Sequence, residues 1–258
     1  MQTYLHITPE NIENEHICCA FSDKKCQQGY QAKKDWLQKE LQDGYVFYRL
    51  QERAKVFIEY GPAETAWLPI LAKNHLNINC FWVSGKYKGN GHGKQLLQHA
   101  ITDAEKQRKD GLVTVVGKKK LSFLSDSKWL IKQGFAVVDE TQTGFVLLEK
   151  KLKTSKSEVK FSPEAKKGTC SKTRGLVAYY SNRCPFTEFH INESLKATSQ
   201  KRGLDLQIIK FKTYQQAQKS PSPATIFSLF YQGKFLTNDL SVCMENRFDA
   251  FWKKQGLG

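Results

Sequence analysis

No stretch of this 258-residue sequence approaches the ~20 consecutive apolar residues that a membrane-spanning helix needs, so no membrane partner is expected. Met1 to Glu10 lacks a basic region followed by an apolar run, and secretion by a signal peptide is not expected. Paired cysteine spacing is also missing. The seven cysteines, at 18, 19, 26, 80, 170, 184 and 243, are odd in number and scattered, which argues against a disulfide scaffold and for a reducing, cytoplasmic setting. There is no zinc-finger spacing, no RNA-recognition signature and no regular basic–aromatic repeat. What is present suffices for a core: 40% of residues are hydrophobic and 12% aromatic, which excludes disorder. The length suits one large domain or two ordinary ones.

Charge divides the chain. The net charge is +15, of which residues 1–150 carry +4 and residues 151–258 carry +11. Lys151 to Arg174 holds eight basic and two acidic residues among Ser, Thr, Gly and Pro, and reads as a solvated connector between two domains. The basic half reads as a solubility feature, and nucleic acid is not the expected partner.

Tyr4 to Ile7 reads as a strand, and Thr8-Pro9-Glu10 as a helix start. Ala32 to Leu41 has helical spacing of Trp36, Leu37 and Leu41. Tyr45 to Leu50 and Lys55 to Tyr60 form an aromatic, β-branched hairpin. Leu76 to Ser84 is a strand, Gly91 to Lys109 a long helix, Leu112 to Val116 a buried strand and Phe123 to Gln133 a helix. A hairpin of Ala136 to Gln142 and Phe145 to Lys150 closes a mixed α/β domain.

The chemistry concentrates in Phe81 to Leu97. Here a strand (Phe81, Trp82, Val83) runs into Lys88-Gly89-Asn90-Gly91-His92-Gly93-Lys94 and then into a helix. Glycines let backbone N–H groups approach a ligand, and a helix N-terminus adds partial positive charge, so the segment suits a phosphate or pyrophosphate. The Gly-Lys-Ser/Thr of a nucleotide P-loop is missing, and the loop follows several antiparallel strands, unlike a dinucleotide-binding unit.

At these residues the sequence resembles the GNAT N-acetyltransferase superfamily. That family's Gln/Arg-x-x-Gly-x-Gly/Ala motif is matched by Lys88 to Gly93, with Lys88 keeping the charge of the usual first residue, and its Gly-Phe after a late helix is matched by Gly134-Phe135. The resemblance covers about residues 3–150. It implies acetyl-CoA as cosubstrate, with the pyrophosphate on residues 88–94 and the pantetheine arm along a splayed strand 81–83. The tyrosine that the family often uses as general acid falls on Leu130, and its usual base positions fall on Asn77 and Asn79. The acid–base candidates left are Glu59, Glu64 and His75, each of which also suits an ordinary surface or hydrogen-bonding role.

His16, Cys18, Cys19 and Cys26 lack a second paired ligand element, so no metal site is expected.

In the second half, β-α-β-α-β-β-α order is read from Leu176 to Lys254, with Cys184-Pro185-Phe186-Thr187 before the first helix. A thiol there is stabilised as thiolate by the helix dipole and by Arg183. Residues 175–256 resemble the thioredoxin/glutaredoxin superfamily, and most of all the YoaP-type domain found behind acetyltransferase domains. The resemblance implies a cis-Pro223 facing the thiol. Thr187 stands where the resolving cysteine of Cys-x-x-Cys would be, so only monothiol chemistry, or a partner such as Cys170 or Cys243, is open.

The expectation is therefore an α/β (α+β) protein: a GNAT mixed sheet with flanking helices at 1–150, a basic linker at 151–174 and a smaller thioredoxin-like domain at 175–258. It would transfer acetyl from acetyl-CoA to a small-molecule or peptide amine by direct attack on the thioester. The alternative is a monothiol redox or thiol-binding protein acting through Cys184, with an acyl-CoA-sensing first domain.

Overall fold

The computed structural model describes residues 3–17, 19–154 and 157–257. Along the chain run β1 (Tyr4–Ile7), α1 (Gln27–Gln42), β2 (Val46–Leu50), β3 (Val56–Pro62), β4 (Ile70–Leu71), β5 (His75–Val83), α2 (His92–Lys106), β6 (Gly111–Gly117), α3 (Ser127–Lys132), β7 (Ala136–Glu140) and β8 (Phe145–Lys151). Then follow β9 (Lys160–Phe161), α4 (Pro163–Lys166), β10 (Leu176–Tyr180), α5 (Thr187–Phe189), a π-helical turn (His190–Leu195), α6 (Lys196–Lys201), β11 (Leu206–Lys210), α7 (Tyr214–Gln218), β12 (Phe227–Tyr231), β13 (Lys234–Thr237) and α8 (Glu245–Lys254).

The first half builds a seven-stranded sheet in the order β1-β2-β3-β5-β6-β8-β7. Its neighbours are antiparallel except β5 and β6, whose parallel pairing requires the α2 crossover. Every residue of β6 is buried, as its unbroken apolar run requires of a central strand covered on both faces. Leu96, Leu97, Ala100 and Ala104 form the buried stripe of α2, and with Leu130 of α3 they cover one sheet face. Fully burying each of the two leucines contributes about 1.5–3 kcal/mol.

The second half forms a four-stranded sheet, β11-β10-β12-β13, with β10 and β11 parallel and the other pairs antiparallel. Ile191, Leu195 and Phe248 pack on one side of it with Leu176, Ala178 and Leu229. Its other side joins the first half. Trp36, Phe47, Phe57 and Trp67 share a single apolar core with Val177, Tyr179, Phe211 and Phe230.

Two expectations change here. Thr8-Pro9-Glu10 starts no helix, because the Thr8 carbonyl takes the Asn11 and Ile12 N–H groups in turns that end without propagating. The 151–174 segment is not a solvated tether along its described length. β9 pairs with β4, Ala165 is fully buried, and Cys170 N–H donates to the Gly233 carbonyl. Composition alone hides this, because four of the segment's few apolar residues, Val159, Phe161, Ala165 and Cys170, are buried as anchors.

Candidate functional site

The ladder between β3 and β5 runs from Pro62 opposite Leu76 to Val56 opposite Val83, with an irregularity that leaves Asn79 unopposed between the Tyr60–Ile78 and Glu59–Cys80 pairs. The parallel ladder between β5 and β6 ends much earlier, at Ile78 opposite Thr114. Thr114 Oγ1 donates to the Ile78 carbonyl over 3.0 Å at that last rung. From Asn79 to Val83, β5 therefore has a strand neighbour on the β3 side only, and the strands splay. A bulge is a common device for bending a strand in this way.

The splayed strand leads directly to the glycine loop. Gly89 and Gly91 have φ of +82° and +79°, a region that side-chain-bearing residues rarely adopt. Gly91 is the N-cap of α2, and no side chain bonds that helix end. The N–H groups of the first turn are thus unused by side-chain capping, and with the macrodipole they offer the donors and partial positive charge that suit an anion. Lys88, Asn90 and Lys94 lie exposed around it.

The other residues expected to hold the cosubstrate divide in role. Phe81 packs against Trp129 with ring centroids 5.3 Å apart, and Gly93 lies so near that a Cβ there would stand 3.3 Å from the Trp129 ring. Val83 is half-buried, whereas Trp82 is 45% exposed. His92 is buried, with its Nδ1 2.7 Å from the Tyr4 hydroxyl. That contact ties the first turn of α2 to β1, so the imidazole is a structural anchor while the backbone serves the loop.

The three acid–base candidates do not converge. Glu59 is buried, 2.6 Å from Lys33 Nζ and 3.0 Å from the Tyr45 hydroxyl that donates to it. Burial, then the Glu59 charge, pushes the Tyr45 phenol far up. Glu64 accepts the Asn74 N–H over 2.6 Å and so braces a turn in which Asn74 has φ +58°. His75 is fully buried, its Nδ1 2.7 Å from the Lys73 carbonyl and its Nε2 3.1 Å from Glu149 Oε1. It begins β5, about 13 Å along the strand from Asn79. Among the described residues no group of three or more His, Cys, Asp or Glu is placed to hold a metal ion, and Cys18 lies outside them.

Cys184 requires a correction. Its thiol is buried, and burial pushes its pKa up to about 12, against a smaller opposing effect of the Phe186 backbone N–H. The cause is α1, whose Gly29 packs on the Pro185 carbonyl and closes the loop off from solvent. The helix expected after the thiol begins at Thr187 and continues through the π-helical turn to Lys201, but burial outweighs what that helix start offers a thiolate. Thr187 Oγ1 donates to the carbonyls of Ser181 and Cys184, locking the loop instead of resolving a disulfide. Pro223 follows a trans bond, because no peptide bond among the described residues is cis. A thiol buried in this way gives the monothiol reading through Cys184 no support.

Arg183 was expected to assist that thiol and instead crosses to the first half. Its Nη1 donates to the Trp67 carbonyl (3.1 Å) and Thr225 Oγ1 (2.8 Å), and its Nη2 to Asn79 Oδ1 (2.6 Å). Asn79 is the unopposed residue at the splay. A narrow cleft opens there, with about 30 Å³ of solvent space, between Asn79 and Val115 on one side and Arg183, Pro223 and Thr225 on the other. No local motif announced this placement, because the partners lie 104 residues apart.

Residues 10–118 match the acetyltransferase (GNAT) family, and residues 205–250 match the YoaP-like family. The chain is 43% identical over 237 residues to a Bacillus subtilis (strain 168) protein described as an uncharacterized N-acetyltransferase YoaP, covering 92% of this chain and 94% of that one. Solved structures with similar folds include Ard1 from Thermoplasma volcanium, at 15% identity and a TM-score of 0.41 over 59% of this chain and 98% of that one. Another is the PaiA N-acetyltransferase from Thermoplasma acidophilum in complex with coenzyme A, at 16% identity and a TM-score of 0.39 over 58% of this chain and 99% of that one. No helix among the described residues is long and apolar enough to cross a membrane. With a mixed sheet splayed at β5, a glycine loop opening α2 and a relative matched nearly end to end, the chain belongs to the GNAT acetyltransferase family, in a form that carries a YoaP-like C-terminal half.

Proposed function

We propose that this protein transfers the acetyl group of acetyl-CoA to an amine at the β5–β6 splay. The observation that carries the reading is the early end of the β5–β6 ladder at Ile78, which leaves the Asn79–Val83 edge without its strand neighbour and leads straight into the uncapped start of α2. An extended pantetheine arm has the hydrogen-bonding pattern of a strand and suits that edge. The pyrophosphate suits the N–H groups of His92 to Lys94, with Lys88 and Lys94 adding charge.

In this reading a backbone N–H at the splay polarises the acetyl carbonyl, a neutral amine attacks it, and the C–N bond forms as the C–S bond breaks. The amine proton leaves to solvent or to the departing thiolate. Leu130 stands where the family often has a tyrosine, and Glu59, Glu64 and His75 are engaged elsewhere, so orientation and polarisation carry the rate. The β11-β10-β12-β13 order, with one parallel pair, supports a thioredoxin-like arrangement for the second half. Its Pro223–Thr225 segment faces the splay, which gives it a substrate-side role without thiol chemistry.

Calorimetric titration with acetyl-CoA, followed by detection of released thiol with an amine panel, tests this. Micromolar binding and amine-dependent thiol release are expected. A folded protein that binds no acetyl-CoA would overturn the reading.

A further inference from the structure

A buried guanidinium is normally met by a carboxylate, because isolating a charge from water costs several kcal/mol. Arg183 is 6% exposed, yet it forms no ion pair with any described residue. Its three bonds go to a carbonyl, a hydroxyl and an amide oxygen, all neutral. Glu40 senses its field without reaching it.

The geometry fixes what is left over. An arginine has five N–H donors. Nη1 and Nη2 are both engaged, and Nε has no partner among the described residues. The Nε hydrogen shares one edge of the guanidinium plane with an Nη2 hydrogen, and that edge suits the two oxygens of a carboxylate. The neighbours hold the fork in place. Because Arg183 can only donate, the Asn79 atom it meets is an oxygen, and the Asn77 amide nitrogen donates to that same oxygen over 2.8 Å. Asn77 Oδ1 is then left buried with no partner, and the set as a whole has an excess of positive charge at the splay. Arg183 lines the cleft there.

We propose that Arg183 seats a carboxylate of the acceptor, so that the substrate is a small amine carrying a carboxylate, of the amino-acid class. This rests on the transfer reading above for its chemistry, since the amine beside that carboxylate would meet the thioester. It assigns the second half a recognition role: the C-terminal sheet supplies the charge that selects the substrate.

The test compares the standard amino acids with their α-carboxamides, which keep the side chain and lose the negative charge. In thiol-release assays the acids are expected to exceed the matched amides at least tenfold in kcat/KM. In R183Q that ratio should collapse toward one through KM, and R183K, which keeps charge but loses the fork, should fall between. Binding is read separately from turnover, by the rise in Tm that N-acetyl amino acids give against N-acetyl amino amides. Equal response to acids and amides in the wild-type protein overturns the proposal, and so does a preference that survives in folded R183Q. The wild-type comparison decides even where R183Q fails to fold. Acetyl-CoA binding without discrimination defeats the carboxylate seat alone. Discrimination in the Tm shift without acetyl-CoA binding defeats the transfer reading alone.

Discussion

Gly29 and Pro185 touch across the two halves of the molecule: a Cβ built on Gly29 would stand 2.2 Å from the Pro185 carbonyl oxygen. Two effects oppose each other at this position. Alanine in a helix gains about 0.5–1 kcal/mol over glycine. A carbon pressed that far into a backbone oxygen forces α1 away, at about 1–3 kcal/mol. The contact wins, so Gly29→Ala is expected to lower stability by about 1–2 kcal/mol in urea unfolding. A stabilised Gly29→Ala protein would refute the close approach.

The same contact seals Cys184. With its pKa pushed up to about 12, the thiol is almost wholly protonated at neutral pH. Native protein should leave Cys184 unmodified by iodoacetamide while denatured protein labels it, as read by peptide mass analysis. Cys184→Ser should retain thiol release within about twofold. Rapid native labelling at Cys184 would restore the reactive-thiol reading.

Gly91 and Gly93 resist substitution for different reasons. Gly91 has open space around it but φ of +79°, so Gly91→Val is strained in the backbone by about 1–2 kcal/mol. Gly93→Val meets the Trp129 ring instead, at 3.3 Å from the first added carbon. Each should weaken acetyl-CoA binding at least tenfold, about 1.4 kcal/mol, by calorimetry. Unchanged affinity in both folded variants would move the cosubstrate elsewhere.

Glu59 sits in a buried pair with Lys33, whose side chains are 1% and 2% exposed respectively. Glu59→Gln removes the carboxylate that faces a buried ammonium and is expected to cost about 3–5 kcal/mol of stability. Its effect on kcat should stay below the ~10²-fold expected of a general base, as should those of Glu64→Gln and His75→Gln. A larger fall in kcat with folding and acetyl-CoA binding intact would identify the base.

His6 and His99 lie with ring centroids 4.8 Å apart, and His99 stacks on Tyr48 at 3.8 Å. Burial lowers both pKa values below the ordinary 6.5, and in His99 the neighbouring His6 adds to the shift. The unfolded chain therefore binds protons more readily, so the stability these residues contribute is complete above pH 6.5 and is lost as pH falls through the depressed folded values. Tm measured from pH 8 to 5 should drop, and His99→Gln should flatten the drop. An identical slope in the variant would exclude His99 as a source.

Much of the fold was legible because it is locally encoded. β1 has the bounds that its run implied, whereas the helix expected from Phe123 starts only at Ser127, behind an Asp126 side chain that accepts the Trp129 N–H. The phosphate loop was legible for the same reason, since glycine spacing speaks directly about backbone. Side-chain destinations were not. His92 reaches Tyr4 across 88 residues, Arg183 reaches Asn79 across 104, and the burial of Cys184 is imposed by a helix from the other half. Nothing in a window of sequence distinguishes a cysteine that a distant helix covers from one left open at a helix start.

The core shared by Trp36, Phe47, Phe57 and Trp67 with Val177, Tyr179, Phe211 and Phe230 makes the two halves poor candidates for shuffling. A gene fragment ending in the basic connector would expose a slab of aromatic surface and expel Arg183 from the splay at one stroke. Recombination could not graft a new recognition module onto this acetyltransferase without rebuilding that slab, so substrate preference would drift by point changes along the Pro223–Thr225 rim while the halves are inherited together.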